Sequence, residues 1–146
     1  YVKLKKEIDT LVGRINSKYS TLNWVPIHYF YRSFPFEELS AFYSMSDIAL
    51  VTPLRDGMNL VCKEFVASKT DQDGVLILSE MAGASKELVD AILVNPNDIS
   101  AVEHAIRVVN LAVSHEVNEV GGHALSLEFA GLAAAGSSGE LPVRRR

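Results

Sequence analysis

Apolar positions open the chain at helical spacing: Val2, Leu4, Ile8, Leu11, Val12 and Ile15 recur mainly three and four residues apart, with lysines and acids between them. That spacing puts one apolar stripe on a helix reaching about Lys18. Val25 to Tyr31 is β-branched and aromatic, a composition that predicts a strand, and Ser33-Phe34-Pro35 breaks it. Glu37 and Glu38 then stand where acids favour a helix start, predicting a helix to about Ser46. Three short, continuous apolar runs follow, Ile48 to Thr52, Val75 to Leu78 and Ile92 to Val94. Runs without polar alternation suit strands covered on both faces. Between them the pattern predicts a helix from Leu60 to Lys69, and a small-residue loop, Ser79 to Ser85, entering a short helix near Lys86 to Val89. Asn95-Pro96 stops the third run, and Asp98 can cap a last helix from Ile99 to about Val113.

Alternating strands and helices predict an α/β fold, a parallel sheet with helices on its faces. Such units usually open with a strand. The leading helix therefore suggests that the chain begins inside a larger domain. Near Ser114 the composition shifts toward Gly and Ala, with a linker-like Gly136-Ser137-Ser138-Gly139 and a terminal Arg144-Arg145-Arg146. Residues 1–113 form the expected domain. Residues 114–146 are expected to be an atypical, poorly ordered tail, with a frayed helix around Ala124 to Ala135.

Composition narrows the class. The 146 residues are 48% hydrophobic and 22% charged, with net charge −4. That is ordinary for one globular domain and supplies no basic field for nucleic acid or anionic lipid. No apolar run approaches the roughly 20 residues that span a bilayer. Cys62 is the single cysteine, so no internal disulfide forms. A soluble, cytoplasmic protein is expected.

One segment carries chemistry: Thr52-Pro53-Leu54-Arg55-Asp56-Gly57-Met58-Asn59-Leu60-Val61-Cys62-Lys63-Glu64. It leaves the C-terminal end of a predicted strand and becomes a helix N-terminus, the place where open α/β sheets bind ligands. A helix start offers free N–H groups and a partial positive charge, which suit phosphate. Gly57 allows close approach of a ligand to backbone. Asp56 and Glu64 place carboxylates at the mouth of the loop and one turn into the helix, where they can accept hydrogen bonds from sugar hydroxyls. Each has a plainer explanation: Asp-Gly is a common turn pair, and an acid early in a helix complements the dipole. Cys62 is read as a small buried side chain, and Arg55 as a local ion-pair partner of Asp56. His115, Glu119 and His123 are spaced by four but lack the His-Glu-x-x-His order, so no metal site is assigned.

Val51 to Val61 with Lys63-Glu64-Phe65 resembles the donor-sugar signature of the trehalose-6-phosphate synthase family. The blocks Gly74 to Ala84 with Glu87-Leu88, Ala91 to Asp98, Gly13-Arg14-Ile15-Asn16 and Trp24-Val25-Pro26-Ile27 also resemble that family, in order, over residues 1–113. The resemblance implies a Rossmann-like sheet belonging to the C-terminal domain of a GT-B fold. It implies retaining transfer of glucose from UDP-glucose to glucose 6-phosphate, giving trehalose 6-phosphate and UDP. By the same resemblance Asp56, the residue assigned to catalysis, grips the transferred glucose. Backbone amides of Gly57, Met58 and Asn59 contact that sugar, and those of Leu60 and Val61 meet the diphosphate. Glu64 holds the ribose hydroxyls, and the backbone of Phe34 contacts uracil. No metal or other cofactor is expected, and no nucleophile is named. The partners implied are UDP-glucose or UDP, and glucose 6-phosphate held by an N-terminal domain absent from this segment. A homo-oligomer or a trehalose-synthesis complex stays open, while nucleic acid and membrane are excluded. The basic residues that clamp the donor phosphates would fall before Tyr1, and residues 114–146 do not resemble the family. The segment alone is therefore expected to be inactive. A non-catalytic regulatory homologue and the donor lobe of another GT-B transferase, such as a glucosylglycerol-phosphate or glycogen synthase relative, are the alternatives.

Overall fold

The computed structural model describes residues 2–70 and 73–119. The chain divides into two compact units, Tyr1–Phe34 and Pro35–Arg146.

In the first unit, helix α1 spans Val2–Tyr19, with Lys5 Nζ bonded to Asp9 Oδ2 at 2.7 Å one turn on. The expected strand at Val25 to Tyr31 is absent. A strand needs a partner for its backbone, and here a side chain takes that place. Asn16 Nδ2 donates to Ile27 O at 2.9 Å, while Ile27 N donates to Asn16 Oδ1 at 3.0 Å. The amide thus satisfies one residue as a neighbouring strand would. Pro26 has no N–H to offer a ladder. The nearest pairing is an isolated antiparallel bridge between Thr21 and Trp24. Phe30 and Phe34 meet edge to face at 5.3 Å, and the Arg32 guanidinium lies 4.6 Å from the Phe34 ring centre.

The second unit runs α2 (Phe36–Met45), β1 (Ile48–Val51), α3 (Leu60–Ser68), β2 (Val75–Ser79), a 3₁₀ turn (Gly83–Lys86), β3 (Ile92–Val94) and α4 (Ile99–Glu119). The strands form a parallel sheet in the order β1-β2-β3, with Ile48 opposite Val75 and Ile77 opposite Ile92. Every residue of β2 is buried, and its side chains alternate between two cores. Leu76 and Leu78 pack with Cys62, Phe65, Ala82 and Ala84, against which Tyr43 rests. Val75 and Ile77 pack with Ile92, Val94, Ala105 and Val109 on the other face. Covered faces on both sides explain the unbroken apolar run of β2; β1 and β3 flank it and, against expectation, each leaves one apolar side chain exposed, Leu50 and Leu93. Asp98 caps α4 as expected, with Ala101 N donating to its Oδ1 at 3.0 Å.

Two boundaries differ from expectation. α4 continues past Val113 to Glu119, since no Gly or Pro interrupts the chain before Gly121. The short helix expected near Lys86 to Val89 is instead a 3₁₀ turn that starts at Gly83. It is fixed there by backbone bonds to the preceding loop, described below. The tail from residue 120 onward, including the helix expected at Ala124 to Ala135, lies outside the described residues, as do the side chains of His115, Glu119 and His123. Among the described residues no helix is long and apolar enough to cross a membrane.

Candidate functional site

The loop between β1 and α3 emerges at the C-terminal edge of the sheet, where the loop after β2 also emerges. Parallel strands end together, so the two loops lie side by side, and backbone bonds join them. Asp56 N donates to Met81 O at 3.5 Å, Gly83 N to Asp56 O at 3.0 Å, and Ala84 N to Met58 O at 2.9 Å. Asp56 and Ala82 form a parallel bridge. The second loop thus extends the sheet by one step and holds the first in place.

Contact at this junction is very close. A Cβ added to Gly83 would lie 1.9 Å from Gly57 O and 2.7 Å from Gly57 C. Gly57 is the opposite case. A Cβ there would meet nothing within 4 Å, and its backbone lies outside the left-handed region. Nothing in the described chain requires glycine at position 57.

Asn59 closes the loop and caps α3. Its Oδ1 accepts from Cys62 N at 3.1 Å, and its Nδ2 donates to Asp56 Oδ2 at 3.0 Å. Its φ of 72° is the only positive value at a non-glycine among the described residues. Asn tolerates this region better than most residues because its short amide can bond locally. Asp56 Oδ1 also accepts from Met58 N at 3.1 Å. The Asp56 carboxylate therefore organises its own loop, and no ion pair joins it to Arg55, contrary to expectation.

The Met58 amide donates inward, and so does the Asn59 side chain. The N–H groups of Gly57, Leu60 and Val61 carry no acceptor among the described residues. Leu60 and Val61 are the first two residues of α3, both exposed, and no acid lies in the first turn of that helix. The positive end of the helix dipole is left open to an incoming anion.

Glu64 sits one turn further along α3, half-buried, and its Oε2 accepts from the Tyr43 hydroxyl at 3.1 Å. Lys63 on the same helix pairs with Glu87 at 2.7 Å, tying α3 to the segment after the 3₁₀ turn. Cys62 is fully buried, with its thiol on Asn59 O at 3.0 Å; burial pushes that thiol up, as suits a packing residue. Phe34 belongs to the first unit, beside Phe30 and Arg32. Six of the predicted site residues thus share one loop and helix start, and Glu64 shares the helix. Gly83 and Tyr43 were not singled out by the sequence: their contacts reach 26 and 21 positions along the chain, and no local period carries such pairings.

The Met58 N–H bond, then the Asn59 amide, hold the Asp56 carboxyl below the usual carboxylate range. A depressed folded pKa contributes stability that is present above the unfolded value and is lost as pH falls through the folded one. Acid titration below about pH 4 should therefore lower the thermal midpoint of the wild-type chain more steeply than that of Asp56→Asn. Parallel curves would show that the carboxylate does not hold the loop.

Residues 1–120 match glycosyltransferase family 20. The bifunctional trehalose-6-phosphate synthase/phosphatase of Thermoproteus tenax is 60% identical over 106 residues, covering 73% of this chain and 14% of that protein. The glucosylglycerol-phosphate synthase of Pseudomonas anguilliseptica is 53% identical over 100 residues, covering 67% of this chain and 13% of that one. Among solved structures, "Trehalose-6-phosphate from E. coli bound with UDP-2-fluoro glucose" superposes with a TM-score of 0.66 at 40% identity, covering 82% of this chain and 25% of that chain. The chain thus spans a small part of the relatives it matches.

Proposed function

Because the chain belongs to glycosyltransferase family 20, we propose that it is the donor-binding part of a retaining glucosyltransferase, one that moves glucose from UDP-glucose to glucose 6-phosphate and releases trehalose 6-phosphate and UDP. In this reading residues 1–113 are part of the Rossmann-like donor half of a GT-B enzyme working in the cytoplasm. The acceptor sits on a domain outside this segment.

The observation that carries the reading is the start of α3. The amides of two exposed residues, Leu60 and Val61, meet no acceptor among the described residues and no acid in the first turn. Negative charge grows on the departing diphosphate as the sugar bond breaks. Fixed N–H donors at a helix end stabilise that charge without having to reorganise. Asp56 serves the sugar: its two oxygens each accept one bond inside the loop and keep lone pairs for glucose hydroxyls. Gly57 leaves open space where the sugar would approach. Glu64 receives the ribose hydroxyls. The reaction in this account needs no metal and no protein nucleophile.

The 53% identity to a glucosylglycerol-phosphate synthase favours a second reading, in which the same donor site serves transfer that yields glucosylglycerol phosphate. The donor half is common to both, so the acceptor distinguishes them. Calorimetric titration of the 146-residue chain with UDP and UDP-glucose tests the shared core. Saturable binding of both is expected, and a folded chain that binds neither contradicts it.

A further inference from the structure

We propose that Tyr43 is a positioning residue for the donor site: its hydroxyl holds the Glu64 carboxylate in the orientation that receives a vicinal diol, and so sets preference for a ribonucleotide over a deoxyribonucleotide. The proposal rests on the reading of Glu64 as the ribose acceptor.

A glutamate has several rotatable bonds and loses rotamer freedom when fixed. A ligand that must order it alone binds correspondingly less tightly. Here the side chain is already held. Tyr43 Oη donates to Glu64 Oε2 at 3.1 Å, from a different helix. The donor is itself packed against the core. The Tyr43 ring rests on the core formed by Cys62, Phe65, Leu76 and Leu78. It meets the Phe65 ring edge to face at 6.5 Å and 87°. Lys69 braces the same pair of helices, bonding Ser44 O at 3.0 Å with its ammonium 5.6 Å from the Phe65 ring centre.

The carboxylate is held but not neutralised. No cation pairs with Glu64 among the described residues, and Tyr43 is the only side chain that donates to it there. At 3.1 Å the bond is longer than the strongest hydroxyl–carboxylate contacts, so it orients the group and leaves its charge available. Oε1 and a lone pair on Oε2 remain for two incoming O–H donors, which is what a ribose 2′,3′-diol presents. Loss of one such donor from the ligand leaves the oriented carboxylate short of a partner, and polar sites reject analogues for that reason.

Calorimetry with UDP and with 2′-deoxyuridine diphosphate on the 146-residue chain tests this. Wild type should prefer UDP by about tenfold or more. Tyr43→Phe should narrow that preference to about threefold or less with little change in thermal midpoint. Replacing Tyr43 by para-aminophenylalanine returns an N–H donor to the same place and should restore the preference. Glu64→Gln should erase most of it. Wild type that binds UDP without preference, or fails to bind it, removes the ribose role of Glu64 and the proposal with it. If wild type discriminates and Glu64→Gln does not, a Tyr43→Phe chain that keeps the full ratio overturns the Tyr43 role alone. So does a para-aminophenylalanine chain that fails to recover the ratio.

Discussion

Gly83→Ala is expected to destabilise the second unit by about 3 kcal/mol and to abolish nucleotide binding. The added Cβ would stand 1.9 Å from Gly57 O, far inside van der Waals contact. Its neighbour is backbone, so no side chain can rotate away. Either the 3₁₀ turn or the loop before α3 must move, and the bonds from Gly83 N to Asp56 O and from Ala84 N to Met58 O would stretch. Thermal unfolding should show a midpoint lower by roughly 10 °C. A midpoint within about 2 °C of wild type would show that the junction is looser than the geometry implies. Gly57→Ala is the contrast, since the new methyl meets nothing within 4 Å. Its stability should be unchanged or slightly higher, by about 0.5 kcal/mol, because alanine restricts the unfolded chain. Affinity for UDP-glucose should nevertheless fall. A variant equally stable and equally tight would mean that no ligand approaches Gly57.

Asn59→Ala is expected to cost about 2–4 kcal/mol, the second large effect. It removes the cap on Cys62 N, a loss of about 1 kcal/mol. It also places alanine at φ 72°, which adds about 1–2 kcal/mol. The Asp56 carboxylate loses one of its two loop partners in the same step. Asn59→Gly separates these contributions. Glycine accepts positive φ without penalty and is nearly as good a cap, so it should recover at least half of the lost stability. Chemical denaturation of the two variants measures the difference. Equal losses would place the whole effect in the side-chain bonds.

The parts of the fold that were legible were those where one chain segment reveals its own surroundings. Val75 to Ser79 reads as a covered strand because both faces of the sheet are packed around it, whereas Ile48 to Val51 and Ile92 to Val94 give the same signal from flanking positions, where Leu50 and Leu93 are exposed. Val25 to Tyr31 is β-branched and aromatic yet forms no strand, because pairing depends on a partner, and Asn16 supplies Ile27 with one from a side chain. In the site, the loop from Asp56 to Val61 was legible from its turn formers and from its place before a helix. What each residue does inside it was less so. Asn59 was assigned through its backbone amide, whereas the structure gives its side chain two bonds of its own. Gly83 and Tyr43 were invisible as supports, since nothing local marks a residue whose partner lies on another loop or helix.

Titration of the 15N-labelled chain with UDP-glucose, read amide by amide, bears most directly on where the sugar diphosphate sits. The backbone signals of Leu60 and Val61 should move furthest and saturate together with those of Gly57 and Glu64, while α4 signals stay in place. Saturable binding that leaves the Leu60 and Val61 amides unmoved would contradict the account.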